Sequence, residues 1–217
     1  RGLGDVYKRQ EINANQTVNV NTGGVKTDIQ ITDQDDTIYL QTRTNGASHS
    51  LMVDYGYFLS AQFVTVTEGY SYLLLSYDEA SDDFSTCVIT FEGASAEPVL
   101  ASKVNGYVTD VSDAYFSIYG YIYAIGTWPA EKLYLVGEDG ITEDVYGLYY
   151  IDQDAAGWPD ITVSKTLPVY LMEDGMYQSY SLNPGAPITF ITTDTTGYMS
   201  FELWDGTEGY FNFTVDE

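Results

Sequence analysis

A chain of 217 residues, 44% apolar and 15% aromatic, is long enough to bury one or two cores, which excludes a disordered polymer. With 8 basic against 32 acidic residues and a net charge of −24, it lacks the Lys and Arg that release counterions from a phosphate backbone or hold an anionic bilayer. Nucleic acid is therefore excluded as a partner. No apolar run approaches the roughly 18 residues of a membrane-spanning helix, so no membrane insertion is expected.

In chain order, the first segment is RGLGDVYKRQ at 1–10. Its Asp5-Val6-Tyr7-Lys8-Arg9-Gln10 resembles the translation of a sequencing-library adapter, which implies a natural protein truncated at its N-terminus. Setting 1–10 aside leaves Lys26, Arg43, Lys103, Lys132 and Lys165 as the basic residues, and the acidic excess reads as solvation.

Helical periodicity is almost absent beyond that point. Short runs of Tyr, Val, Ile, Thr and Phe recur between Gly, Asp and Asn turn signals, so the fold class is all-β with antiparallel strands. Strands are expected at 17–20, 27–31, 37–42, 50–54, 62–67, 70–76, 85–91 and 97–102. Further strands are expected at 115–118, 121–125, 132–136, 145–151, 167–172, 187–192, 198–204 and 207–214. Asn105-Gly106, Asp139-Gly140, Asp174-Gly175 and Asp205-Gly206 are the hairpin signals, because Gly supplies the positive φ that tight turns need. Tyr72-Leu73-Leu74-Leu75 is apolar without alternation and reads as a central strand buried on both faces.

Cys87 is the lone cysteine, so no intrachain disulfide is available, and its place in FSTCVITF reads as a small core hydrophobe with no basic neighbour to activate it. His49 is the lone histidine, in GASHS, and no pattern sets a nucleophile or carboxylate beside it. It reads as a loop or strand-edge residue. No motif selects a catalytic carboxylate pair, and there is no phosphate-binding Gly loop or dinucleotide fingerprint, so no catalytic residue and no cofactor is assigned.

The pattern pauses at 157–166, which places a boundary between a β-rich domain at 11–163 and a closing unit at 164–217. In the closing unit Leu167-Pro168-Val169-Tyr170, Leu182-Asn183-Pro184-Gly185, Gly197-Tyr198-Met199-Ser200-Phe201 and Asp205-Gly206-Thr207-Glu208-Gly209-Tyr210 follow in order. This order resembles the bacterial Src-homology-three-like family, with Tyr198 where that family usually has Trp. The resemblance implies a small barrel that holds wall polymers or peptides outside the cell, or packs on a neighbour.

Upstream, Asp152-Gln153-Asp154 to Val163 resembles the loop of integrin-α-type propeller repeats, with a fainter copy at 19–29. The domain at 11–163 is thus expected to be propeller-like or a sandwich. Calcium needs converging oxygens. Asp152, Asp154 and Asp160 stand at positions one, three and nine, but Ala156 and Val163 occupy five and twelve, so the segment reads as a solvated linker and no metal is assigned. Asp33, Asp35 and Asp36, and Asp78, Glu79 and Asp82, read as loop acids. The stretch 70–93 resembles β-rich exported proteins of clostridia, and the low-Lys, Tyr- and Thr-rich usage resembles exported proteins of Gram-positive bacteria.

Alternation in 198–204 sets Met199, Phe201 and Leu203 inward and Tyr198, Ser200, Glu202 and Trp204 outward. The same rule turns Phe211 inward and Tyr210 outward. Tyr198, Trp204 and Tyr210 are therefore the candidate ligand-binding residues, an aromatic shelf rimmed by Glu202 and Glu208 and suited to a sugar ring or a peptide. The expectation is a noncatalytic binding module, extracellular or at the cell surface, whose partner is a cell-wall glycan or peptide. The alternatives are the accessory region of a secreted hydrolase and a structural spacer whose aromatics are buried between domains. The residues do not fix an oligomeric state.

Overall fold

A strand whose side chains are apolar on both faces must lie inside a layered structure, since each face needs its own cover. In the computed structural model, which describes residues 8–66, 69–79, 83–155 and 161–214, the Tyr72-Leu73-Leu74-Leu75 run occupies that position. Among the described residues no helix is long and apolar enough to cross a membrane. The described residues form antiparallel sheets throughout, and the chain divides into two compact units, Arg1–Gly120 with Leu133–Val145, and Tyr121–Lys132 with Tyr146–Glu217.

The first unit opens with β1 (Lys8–Glu11), which includes residues 8–10 of the adapter-like segment and is exposed along its length. Next come β2 (Thr17–Thr22), β3 (Val25–Gln34), β4 (Thr37–Thr44) and β5 (Ala47–Tyr55), a four-stranded meander in the order β2-β3-β4-β5. Then β6 (Tyr57–Thr65), β7 (Ser71–Asp78), β8 (Phe84–Glu92) and β9 (Glu97–Asn105) form a second meander, extended by β1 into the order β1-β6-β7-β8-β9. Tight turns close the first meander because paired residues there take positive φ: 58° and 90° at Gly23-Gly24, 52° and 58° at Asp35-Asp36, and 50° and 85° at Asn45-Gly46.

The two meanders share a core in which Ile29, Ile31, Ile38 and Leu40 of one meet Phe63, Leu73, Leu75, Cys87 and Ile89 of the other. Stacked in this way they make a sandwich, one of the two arrangements left open by the sequence. The opposite face of the second meander carries Val64, Tyr72, Leu74 and Val88. These pack with Val111 of β10 (Tyr107–Ser112), with Phe116 and Ile118 of β11 (Tyr115–Tyr123), and with Val136 of β12 (Thr127–Val136). Hence β7 is covered on both faces, as its unalternating sequence requires. The short β13 (Thr142–Asp144) pairs the end of β12.

The second unit takes Tyr121–Lys132 and then β14 (Tyr149–Ile151), β15 (Ile161–Thr162), β16 (Leu167–Glu173), β17 (Met176–Leu182), β18 (Pro187–Thr193), β19 (Tyr198–Leu203) and β20 (Glu208–Asn212). Its strands run in the order β12-β14-β18-β19-β20-β16-β17, with β15 beside β18. Val169, Leu171, Ile188, Phe190, Met199, Phe201 and Phe211 form its core, so every other residue of β16, β19 and β20 points away from it. The expected boundary at 163/164 falls inside this unit, where β15 pairs β18 through Ile161 and Ile188.

Several strands lie outside the expected set for physical reasons. Residues 115–118 and 121–125 read as two strands because Gly120 interrupts them, yet one strand runs through it, and no strand is expected at β17 because Gln178 breaks the apolar side of MYQSYSL.

Candidate ligand-binding face

The outward face of the second unit's sheet is built by alternation. On β19, Met199 and Phe201 are buried while Tyr198 and Ser200 are half-buried and Glu202 is exposed. On β20, Phe211 is buried while Tyr210 is half-buried between exposed Glu208 and Asn212. Register then decides which outward residues meet. Ser200 lies opposite Tyr210, and Tyr210 lies opposite Tyr170 on β16, so the outward side chains of three strands form one row.

Tyr210 and Tyr170 are the rings of that row, and Tyr198, opposite Asn212, and Tyr177, opposite Met172, reach Tyr210 from diagonal positions. Tyr198 and Tyr210 have centroids 5.5 Å apart, Tyr170 stacks on Tyr210 at 4.9 Å and 15°, and Tyr177 of β17 meets Tyr210 edge-on at 4.9 Å and 85°. Offset stacks and edge contacts at these separations are favourable arrangements of ring quadrupoles. Beside the rings, the Thr192 and Ser200 hydroxyls lie 2.6 Å apart, adding a polar border.

The structure thus joins Tyr198 to Tyr210 but sets Trp204 apart. Trp204 follows the last residue of β19, at the far end from Tyr198, and is 85% exposed. Along an extended strand that separation is about 20 Å. Tyr170 and Tyr177 take the place beside Tyr210. Their signal was present in the Asp174-Gly175 turn: a two-residue loop puts 172 opposite 177, so that 170, 172, 177 and 179 share a face.

Two local devices hold the rings. Asp194 Oδ1 accepts the amides of Thr196, Gly197 and Tyr198 at 2.8, 2.9 and 2.9 Å, which fixes the turn that enters β19. Burial would raise this carboxyl, but the amides of Tyr198, Gly197 and Thr196 outweigh it and hold the group below the usual Asp value. Gly209, buried under the row, lets β20 approach β16, because a Cβ there would lie 2.8 Å from the Tyr170 carbonyl oxygen. Burial also raises the Tyr198 phenol.

The remaining candidates fall elsewhere. Asp152 and Asp154 line a cleft of about 490 Å³ with Trp128, Gln153, Thr162 and Thr189. The Asp154 amide donates to Asp152 Oδ1 at 3.0 Å, a turn contact, while Asp160 and the rest of 156–160 lie outside the described residues. Among the described residues no group of three or more His, Cys, Asp and Glu could hold a metal. His49 is on edge strand β5 opposite Thr42, with its Nε2 buried and without a hydrogen-bond partner, next to a cleft of about 400 Å³ bordered by Gln30, Gln41, Arg43 and Ser48.

Cys87 is fully buried and its thiol is pushed up to about 11 by desolvation. Of the loop acids, Asp33 accepts the Phe58 amide at 3.0 Å, Asp35 and Asp36 form a turn, and Asp82 is outside the described residues.

Glu79 has a larger role than a solvated acid. Lys103 Nζ lies 2.6 Å from Glu79 Oε1 and 2.9 Å from Asp54 Oδ2, while the Tyr77 and Ser85 hydroxyls donate to Asp54 and Glu79 respectively. Lys103 holds the Glu79 carboxyl below its usual range. At Asp54 the raising effect of burial is outweighed by Tyr77 and Lys103. The chain matches no protein-family model, no curated protein and no solved structure.

Proposed function

We propose that this chain is a noncatalytic binding module of an exported bacterial protein, working outside the cell or at its surface, and that its ligand is a cell-wall glycan. The observation that carries the reading is the row of Tyr177, Tyr170, Tyr210 and Tyr198 across four adjacent strands, with ring contacts of 4.9, 4.9 and 5.5 Å. Tyr170 and Tyr177, which stay exposed while Tyr210 holds them in place, offer apolar ring area at little entropic cost, which suits the C–H side of a pyranose. The half-buried Ser200 hydroxyl, backed by the buried Thr192 hydroxyl, borders the rings as a partner for a sugar hydroxyl. Trp204, 85% exposed, supplies a second stacking surface farther along the polymer.

The ligand is a neutral or amino-substituted sugar rather than an acidic one, because Glu202 and Glu208 oppose each other on this sheet and the whole chain carries −24. A cationic peptide is the competing occupant. Tyr198→Ala/Trp204→Ala/Tyr210→Ala tests the reading by retention on insoluble wall material, with a basic peptide as soluble competitor. The triple variant is expected to fold and to lose retention. Unchanged retention by a folded triple variant overturns the reading, and binding to the peptide alone transfers the face to that ligand class.

A further inference from the structure

An edge strand presents unpaired N–H and C=O groups, and proteins guard such edges with charge, Pro or a bulge. The outer strand β9 carries Glu97, Pro98 and Lys103, and β10 carries Asp110 and a register shift. Strand β2 has no charge either, but Asn19 and Asn21 in it are residues that strands disfavour. Strand β17, MYQSYSL, has none of these guards. Among the described residues it ends the strand order beyond β16, its residues Met176 to Ser181 are exposed, and its register with β16 is continuous from Leu167↔Leu182 to Glu173↔Met176.

The turn fixes which main-chain groups are free. Asp174 and Gly175 both take positive φ, 49° and 79°, the conformation of a two-residue hairpin loop whose flanking residues Glu173 and Met176 exchange hydrogen bonds. Bonded pairs alternate along an antiparallel ladder. Met176, Gln178, Tyr180 and Leu182 therefore turn their N–H and C=O toward β16. Tyr177, Ser179 and Ser181 turn theirs to the open edge.

We propose that this edge pairs with the β17 edge of a second copy of the chain, antiparallel, about a two-fold axis at Ser179. The strand is complementary to itself in that register. Ser179 faces Ser179 and Tyr177 faces Ser181, and these are the residues whose main-chain groups point outward, so each pair exchanges both bonds. Between them Gln178 faces Tyr180 and Met176 faces Leu182, and no like charges oppose each other along the edge. A displacement by one residue would set outward groups against inward ones and lose the ladder.

Directly opposed residues in an antiparallel sheet project to the same side, so the axis is normal to the sheet. The tyrosine rows of both copies then share one face of a continuous sheet. A polymer crossing that face would meet two sites in one copy pair, and its second contact would be intramolecular. Each copy carries −24, so long-range repulsion opposes the pairing and salt relieves it.

Sedimentation velocity on the full chain, with NMR hydrogen exchange, tests the pairing. Association is expected to rise with protein concentration and with salt, and the amides of Tyr177, Ser179 and Ser181 are expected to gain protection with it while those of Gln178 and Tyr180 stay unchanged. Ser179→Lys, which sets two ammonium groups together at the axis, and Ser179→Pro, which removes an outward N–H without touching a bond to β16, are both expected to be monomeric. If the Pro variant fails to fold, the Lys variant decides. A wild-type chain that stays monomeric at every concentration and salt, or a dimer that persists in the folded variants with those three amides unprotected, overturns the proposal.

Discussion

Tyr170 and Tyr210 stack across β16 and β20 at 4.9 Å because the residue next to Tyr210 has no side chain. At Gly209 a Cβ would lie 2.7 Å from Leu171 Cδ2, 2.8 Å from Phe201 Cζ and 2.8 Å from the Tyr170 carbonyl oxygen. The two side chains could yield, but the carbonyl belongs to the ladder and cannot. Gly209→Ala is therefore expected to cost about 1–3 kcal/mol by overpacking. Urea unfolding should show the lowered midpoint, and near-UV circular dichroism a weakened tyrosine band. Gly197→Ala is the control, since a Cβ there is 3.4 Å from its nearest neighbour, the Phe213 carbonyl oxygen.

Asp194 couples the face to pH. Its carboxyl titrates below the usual Asp value of about 3.9 in the folded protein, so it contributes stability that is present above that value and is lost as pH falls through the folded value. Asp194→Ala is expected to cost about 1–2 kcal/mol at neutral pH, toward the lower end because the group is partly solvated. Wild type and variant should converge in acid. Asp194→Asn, which keeps an acceptor oxygen, should recover most of the loss, and thermal unfolding from pH 7 down to about pH 2 follows the narrowing difference.

Much of the fold was legible wherever one side chain in two had to be buried. The outward placement of Tyr198 and Tyr210 follows from the apolar alternation of Met199, Phe201 and Phe211, and the central position of β7 follows from its lack of alternation. Strand β17 was not legible, because Gln178 interrupts the side that carries Met176, Tyr180 and Leu182, and its residues Met176 to Ser181 are all exposed. Nor was the Lys103 network, in which Asp54 and Lys103 are 49 residues apart in sequence and lie on strands of different sheets. Contacts of that kind depend on how layers stack, and no local spacing encodes it.

Lys103 joins those layers, with side chains of 38%, 34% and 32% exposure at Lys103, Asp54 and Glu79. Solvent screens such a network, so Lys103→Met is expected to cost about 1 kcal/mol rather than the larger loss of a buried pair. Both carboxyls titrate below their usual values, Glu79 through Lys103 and Asp54 through Tyr77 and Lys103 against burial. The difference from wild type should therefore be full above the carboxylate range and shrink as pH falls through it. Urea midpoints at pH 7 and pH 3 measure that trend.

Cys87 is expected to resist thiol reagents in the folded chain. Burial pushes its thiol up to about 11 and leaves it no path to solvent, so thiolate is scarce at neutral pH and shielded. Labelling should proceed only at the rate of opening and become fast in denaturant. Rapid native labelling would contradict the sandwich core to which Cys87 belongs together with Ile31 and Leu40.

The central claim is that the tyrosine row receives a glycan, and ring NMR during titration with soluble wall-glycan fragments tests it most directly. Ring signals of Tyr170, Tyr177, Tyr198 and Tyr210 are expected to shift together with one binding curve, while Tyr72 and Tyr77, buried in the other unit, stay fixed. Binding by the wild-type chain with those four rings unmoved, or no binding to any fragment, would contradict it.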